Sequence, residues 1–209
     1  MISESSLKKY SATTVKLEKG ETIFHYGDAA VFFYIVHHGK IKMTNYSDDG
    51  REFVQGYFTD GQSFGEPPFF QKSPYPASAI AVEKSTVWKI PRENFLKLLK
   101  NNFDIHLELT TTLSNRLIYK STMLSELAIE EAEHRLVTLM QFVIDHNKKE
   151  SLHPYKIPFT RQQLADMTGL RVETVIRTMK SLEQKRFLEI DGDGKILWKS
   201  SSKSKPTSV

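Results

Sequence analysis

The pair of side chains with the most distinctive chemistry in this sequence is Glu173 and Arg177, four residues apart. On a helix that spacing puts them on one face. A carboxylate accepts from cytosine N4, and a guanidinium donates to guanine O6 and N7, so together they can read C and G in a short stretch. A good bidentate contact contributes ~1–3 kcal/mol of discrimination. The bland reading is a surface ion pair worth a few tenths of a kcal/mol. The two are compatible, because the pair can hold each other in place before DNA arrives. Nearby, Arg171, Thr174, Thr160 and Lys180 carry groups suited to phosphate oxygens, contacts that position without specifying.

Two helices must present these residues. Thr160 stands three residues before Gln163, a capping-box start, and Leu164, Ala165 and Met167 give the first helix an apolar side. Gly169 breaks it. Val172, Val175, Met179 and Leu182 then recur at helical spacing and face a core, leaving Arg171, Glu173, Thr174, Arg177, Lys180 and Ser181 on a polar, cationic side. A glycine-jointed pair of this kind suits a helix-turn-helix that lays its second helix in a major groove. An ordinary packed helical hairpin is the alternative. Upstream, residues 130–147 predict another helix with Leu136, Leu139, Met140 and Val143 inward, and Pro154 and Pro158 mark a connection. Downstream, FLEIDGDGKILWK predicts two strands of a β-hairpin wing, and residues 201–209 predict a disordered polar tail.

Charge agrees with this placement. The chain carries +4 overall, but from Lys156 onward 11 Lys+Arg stand against 6 Asp+Glu, net +5, leaving −1 for the rest. Such concentration is the footprint of a phosphate-backbone binder. Cysteine is absent, which excludes disulfides, thiolate chemistry and cysteine-ligated iron–sulfur clusters. No apolar run reaches 18 residues and no basic-then-apolar leader opens the chain, so no membrane partner is expected and a cytoplasmic location is the default. His37 and His38 are adjacent and would point to opposite faces of a strand. His25, His106, His134, His146 and His153 show no ligand spacing, so no metal is expected. No nucleophile–base arrangement or Gly-rich phosphate loop suggests an enzyme.

Residues 15–90 read as short strands punctuated by glycine, with Asp49-Gly50 a strong hairpin signal, and predict a double-layered antiparallel sheet or jelly roll. After Pro91 the period changes. Phe95, Leu98 and Leu99 suggest a short helix. From Phe103 to Leu127 apolar residues recur every three to four positions without Gly or Pro, among them Leu107, Leu109, Leu113, Leu117 and Leu124. A helix of about 25 residues would be some 37 Å long, more than one small domain needs, and is a natural dimer spine. Two recognition helices about 34 Å apart would read a palindrome on double-stranded DNA.

The stretch TRQQLADMTGLRVETVIRTMKSLEQKRFLEI closely resembles the helix-turn-helix of the cyclic-AMP receptor and fumarate-nitrate regulator family of bacterial transcription factors, and the resemblance covers nearly the whole chain. It implies an α+β fold: a β jelly-roll effector-like domain at 1–102, a dimerisation helix at 103–128 carrying Leu109, Leu113, Leu117 and Leu124, and a winged helix-turn-helix at 129–200. It implies a homodimeric regulator with Glu173 and Arg177 reading bases, and RNA polymerase as a further partner. Val172-Glu173-Thr174 resembles the fumarate-nitrate branch, implying a TTG-containing half-site instead of a GTGA type. Ile176 departs from that branch, which has serine there.

The family's ligand-holding segment is matched by Phe64-Gly65-Glu66 and Ala77-Ser78-Ala79. In nucleotide-binding members the glutamate takes the ribose hydroxyl and an arginine just before the Ser-Ala takes the cyclic phosphate. Here Ala77 stands at that place, or Pro76 with a different gap, and the family's adenine-touching Thr-Ser pair is matched by Lys120 and Ser121. A buried phosphate without a cationic or densely hydrogen-bonding partner costs several kcal/mol, enough to erase micromolar binding. Pro67 and Pro68 cannot donate a backbone N–H. The usual cyclic-nucleotide binding is therefore not expected, nor any cofactor. Phe64, Phe69, Phe70, Tyr75 and Tyr57 would line a cavity that holds another, unidentified effector or is filled by its own side chains. The runner-up function is a cyclic-nucleotide or other small-molecule sensor whose output is a protein partner.

Overall fold

Four consecutive buried residues, Phe33 to Val36, mark the strand around which the first half is built. A strand buried on both faces needs cover on each side. Phe33 stacks on Phe95 of a following helix at 3.6 Å between ring centroids, while Tyr34 packs against Phe24 and Phe64 on the opposite side. The computed structural model of the protein describes residues 2–50, 52–129, 131–146 and 154–199. Arg51, Glu130, residues 147–153 with His153, and the tail from 200 onward, including the predicted disordered stretch, lie outside the described residues, as do the side chains of Leu127 and His146.

In chain order the elements are α1 (Glu4–Lys9), β1 (Thr13–Leu17), β2 (Thr22–Phe24), β3 (Phe32–His38), β4 (Ile41–Tyr46), β5 (Glu52–Phe58), β6 (Ser63–Phe64), α2 (Glu66–Gln71), β7 (Ser78–Ala81), β8 (Ser85–Pro91), α3 (Arg92–Asn101), α4 (Phe103–Ile129), α5 (Ala132–His146), β9 (Tyr155–Lys156), α6 (Arg161–Thr168), α7 (Val172–Gln184), β10 (Leu188–Ile190) and β11 (Ile196–Trp198). They form two compact units, Met1–Leu113 and Ser114–Val209, the division falling within α4.

The first unit is an antiparallel jelly-roll-like sandwich of two four-stranded sheets, β1-β8-β3-β6 and β2-β7-β4-β5. In β4, Ile41 and Met43 turn inward two residues apart, as the pleat requires, and Gly50 closes the hairpin to β5 at positive φ. His37 and His38 correct the simple alternation: the register slips between Val36 and His38, and both imidazoles are exposed. The short helix α1, which the sequence reading lacked, is capped by Ser3 and anchored by buried Leu7.

The second unit has its own core, in which Leu136, Leu139 and Met140 of α5 meet Leu164, Val175, Met179 and Leu182. Its sheet has three strands, β10-β11-β9. The wing hairpin is as the sequence predicts. Tyr155–Lys156, expected to be part of a proline-marked connection, instead pairs with β11. Among the described residues no helix is long and apolar enough to cross a membrane.

Candidate nucleic-acid interface

The first helix of the pair starts where the capping box requires. Thr160 Oγ1 accepts from Gln163 N at 3.2 Å, and Gln163 Oε1 accepts from Thr160 N at 3.0 Å. It ends at Gly169, whose φ of +67° is left-handed; Leu170 N reaches back to the Ala165 carbonyl at 3.2 Å. That sharp exit lets α7 start after only Leu170 and Arg171. Val175, Met179 and Leu182 are fully buried, with Thr178 beside them, so the rotation of α7 about its axis is fixed by the core. The face left outside carries Glu173, Ile176, Arg177, Lys180, Ser181 and Gln184, which line an open depression of about 520 Å³.

Contacts around the C-terminal end of α7 hold it. Glu133 of α5 accepts from Lys185 Nζ at 2.7 and 2.9 Å and from Ser181 Oγ at 3.4 Å. Glu183 accepts from Ile190 N at 2.9 Å, joining α7 to the wing, and Arg161 Nη1 donates to the Gly194 carbonyl at 2.7 Å, tying the wing turn to α6. Glu133, Glu183, Lys185 and Arg161 escaped the sequence reading because their partners lie up to 52 residues away.

Where the supporting charges are paired, the exposed ones are not. Among the described residues, neither Glu173 nor Arg177 has an ion pair or hydrogen-bonding side-chain partner, and the same holds for Arg171 and Lys180. The i,i+4 pair expected between Glu173 and Arg177 is not formed, which forgoes only a few tenths of a kcal/mol at such an exposed site. Thr160 is exposed and spends its oxygen as an acceptor, leaving its hydroxyl hydrogen to donate; Thr174 is half-buried.

In the first unit the expected cavity residues come together as packed core. Phe64, Phe69, Tyr75 and Ala77 are buried, and Phe70 is half-buried. Tyr75 stacks on Phe24 at 3.6 Å with an interplanar angle of 11°, and Phe24 stacks in turn on Phe64. Gly65 sits at φ +75°, where a Cβ would meet the Tyr75 ring at 3.1 Å and Phe24 at 3.2 Å. The Tyr75 hydroxyl donates to the Phe32 carbonyl at 3.3 Å, and burial pushes its pKa upward, so the ring stays neutral. Ser78 Oγ accepts from Tyr26 N at 2.9 Å. Glu66 is buried in the first turn of α2, with Pro67 and Pro68 following. Phe24 and Tyr34, missed in the sequence, complete this aromatic cluster: Tyr34 of β3 lies directly opposite Phe64 of β6, and Phe24 comes from β2 in the other sheet. Tyr57 is only half-buried, with Lys40 over its ring at 5.0 Å. Lys120 and Ser121 lie on α4 in the second unit, both exposed. Among the described residues no cluster of three or more potential metal ligands occurs.

Helix α4 runs the predicted length, but the four leucines assigned to a dimer spine divide. Leu109 is only 7% exposed and belongs to the core of the first unit, against which Leu113 also packs. Leu117 and Leu124 are 70% and 69% exposed. At about 100° per residue, Phe103, Leu107, Leu117, Ile118 and Leu124, all exposed, fall within one stripe of about 120°.

Comparison with known proteins bears on both halves. Residues 14–102 match the family model of the cyclic nucleotide-binding domain, and residues 134–200 match that of the Crp-like helix-turn-helix domain. The chain is 30% identical over 176 residues to the cAMP-activated global transcriptional regulator CRP of Haemophilus influenzae, covering 82% of this chain and 77% of that one. The chain belongs to the CRP/FNR family of transcription regulators. It is similar as well to the transcriptional activator protein FnrA of Stutzerimonas stutzeri, at 26% identity over 84% of this chain and 72% of the relative. Among solved structures, FixK2 from Bradyrhizobium japonicum shares the fold with a TM-score of 0.72 at 20% identity, covering 90% of this chain and 93% of that one. The c-di-GMP responsive regulator CLP of Xanthomonas campestris does so with 0.70 at 21%, covering 95% and 100%. Membership in the CRP/FNR family gives the protein a DNA-binding role in transcription regulation, and the matched relatives are named as regulators and not as enzymes.

Proposed function

We propose that the protein is a homodimeric regulator that reads a palindromic duplex and is not controlled by cyclic AMP in the manner of the Haemophilus influenzae relative. The observation that carries the base-reading part is the exposed face of α7, where Glu173 and Arg177 line an open depression and have no side-chain partner among the described residues. With no partner among the described residues, both keep their hydrogen-bonding capacity for base edges. Arg171, Lys180, Thr160 and Thr174 flank them and hold phosphates. On this reading residues 1–102 form the effector-like domain, 129–200 the DNA-binding domain, and 103–128 the dimer spine within α4. Its partner-facing side is the stripe of Leu117 and Leu124 with Phe103, Leu107 and Ile118, since an apolar stripe of that length in water calls for cover. RNA polymerase is the further partner that the family resemblance implies.

Against cyclic-AMP control stand the absence of a cation at Ala77, the two prolines in the first turn of α2, and the stacked rings of Phe24, Tyr75 and Phe64. Selection of bound duplexes from a random pool by the purified protein, without added ligand, tests the proposal. A palindrome with a TTG-containing half-site is expected. Calorimetric titration with cyclic AMP is expected to give no heat of binding at micromolar concentrations; tight binding would overturn the reading of Ala77.

A further inference from the structure

One side chain on the reading face of α7 is out of keeping with its neighbours. Ile176 is 39% exposed and lines the depression otherwise formed by Glu173, Arg177, Lys180, Ser181 and Gln184. A lone exposed apolar residue is ordinary on most surfaces. This one lies among the residues assigned to base reading, on a helix whose core-facing side is already made by Val172, Val175, Met179 and Leu182. Helix propensity does not call for it either, because a β-branched side chain is a weaker helix former than the straight-chain polar residues around it.

The groove offers such a side chain one apolar partner. Among the base edges exposed in the major groove, thymine alone presents a methyl group. Isoleucine suits it: in a helix its χ1 is held almost entirely in one rotamer, so its γ2 methyl is fixed before contact and only χ2 remains to be ordered on binding. The helix geometry also says where the methyl should be. At about 100° per residue Ile176 lies roughly 60° to one side of Glu173, and Arg177 roughly 40° to the other; the rise puts Ile176 about 4.5 Å along the axis from Glu173. That is little more than the ~3.4 Å between successive base pairs.

We infer that Ile176 is a specificity residue that selects a thymine through its C5 methyl group, at the base pair neighbouring the one read by Glu173 and on the side away from Arg177. The inference rests on the base-reading proposal for α7. Burying one methyl group corresponds to about a fourfold preference for thymine in each half-site, and about fifteenfold when both half-sites carry it.

The test uses the full chain and the duplex it selects from a random pool. Each thymine of the half-site is replaced in turn by deoxyuridine, which lacks only the methyl group, and affinity is measured for the wild type and for Ile176→Ala. One thymine per half-site is expected to show the fourfold loss in the wild type, and that loss should fall below twofold in Ile176→Ala. A repeated selection with Ile176→Ala should lose its preference for thymine there and nowhere else. Two results would overturn the inference alone: a wild type indifferent to deoxyuridine at every thymine, or a loss that persists undiminished in Ile176→Ala. If no duplex is enriched at all, the base-reading proposal falls and this one with it.

Discussion

Substituting Glu173 and, separately, Lys180 by alanine separates reading from positioning. Glu173 is exposed and has no partner among the described residues, so its removal strands no buried group and should change folding stability by less than about 0.5 kcal/mol. Its effect should appear on DNA alone. Loss of one charge-assisted contact to a cytosine amine amounts to about 1–3 kcal/mol per half-site, hence about 2–6 kcal/mol for a dimer on a palindrome, and only against the preferred base pair. On a duplex altered at that pair, variant and wild type should bind alike. Lys180→Ala should instead weaken every sequence equally. Removing one phosphate contact per protomer lowers the slope of log affinity against log salt by about 1.8, so the loss between about 50 and 200 mM salt shrinks roughly tenfold. Fluorescence anisotropy titrations with the selected duplex and its single-pair variants, at four salt concentrations, measure both. The reasoning is refuted if Lys180→Ala alters base preference, or if Glu173→Ala lowers affinity for all sequences by one common factor.

Three further outcomes follow from the packing. Gly169→Ala meets no atom within 4 Å but must hold a left-handed φ, so it should destabilise the second unit by about 1–2 kcal/mol in chemical denaturation, with Gly169→Asn costing less. Leu117→Glu or Leu124→Glu should yield a monomer by sedimentation with little loss of fold, whereas Leu109→Ala should cost about 2–4 kcal/mol of stability through the cavity it leaves in the first core. Glu52 is partly buried, which by itself would raise its pKa, but the hydrogen bonds from Lys42, Thr44 and Tyr46 outweigh burial and hold the carboxyl below its ordinary range. A depressed folded-state pKa stabilises above the unfolded value and is lost as pH falls through the folded one. Glu52→Gln should therefore cost about 1–2 kcal/mol near neutral pH and flatten the decline of stability on acidification below about pH 4.5, read by denaturation at several pH values.

How much of this was legible in the sequence depends on how local the cause is. The capping box at Thr160, the break at Gly169 and the buried stripe of Val175, Met179 and Leu182 are set by residues within three or four positions of one another, and they stand in the structure where the sequence predicts them. The strand-and-glycine rhythm of the first half likewise predicts its sheets, because alternation and turn residues are local signals. Other assignments depended on partners remote in the chain. Tyr155–Lys156 has too little sequence to announce itself as a strand and becomes one only because β11 offers a free edge. Lys185, as cationic as Lys180, is taken up by Glu133 of another helix.

The sequence by itself determined which residues share a face: helical period groups Glu173, Ile176, Arg177 and Lys180, and it groups the leucines of α4. Only the tertiary structure decided which faces were used up. It turned Leu109 into the first core and left Leu117 and Leu124 in water, closed Phe24, Tyr75 and Phe64 into one stack, and left Glu173 and Arg177 without a partner among the described residues. The reason is that periodicity fixes angles about a helix or strand axis, whereas burial and pairing are fixed by what the chain brings against that axis from elsewhere.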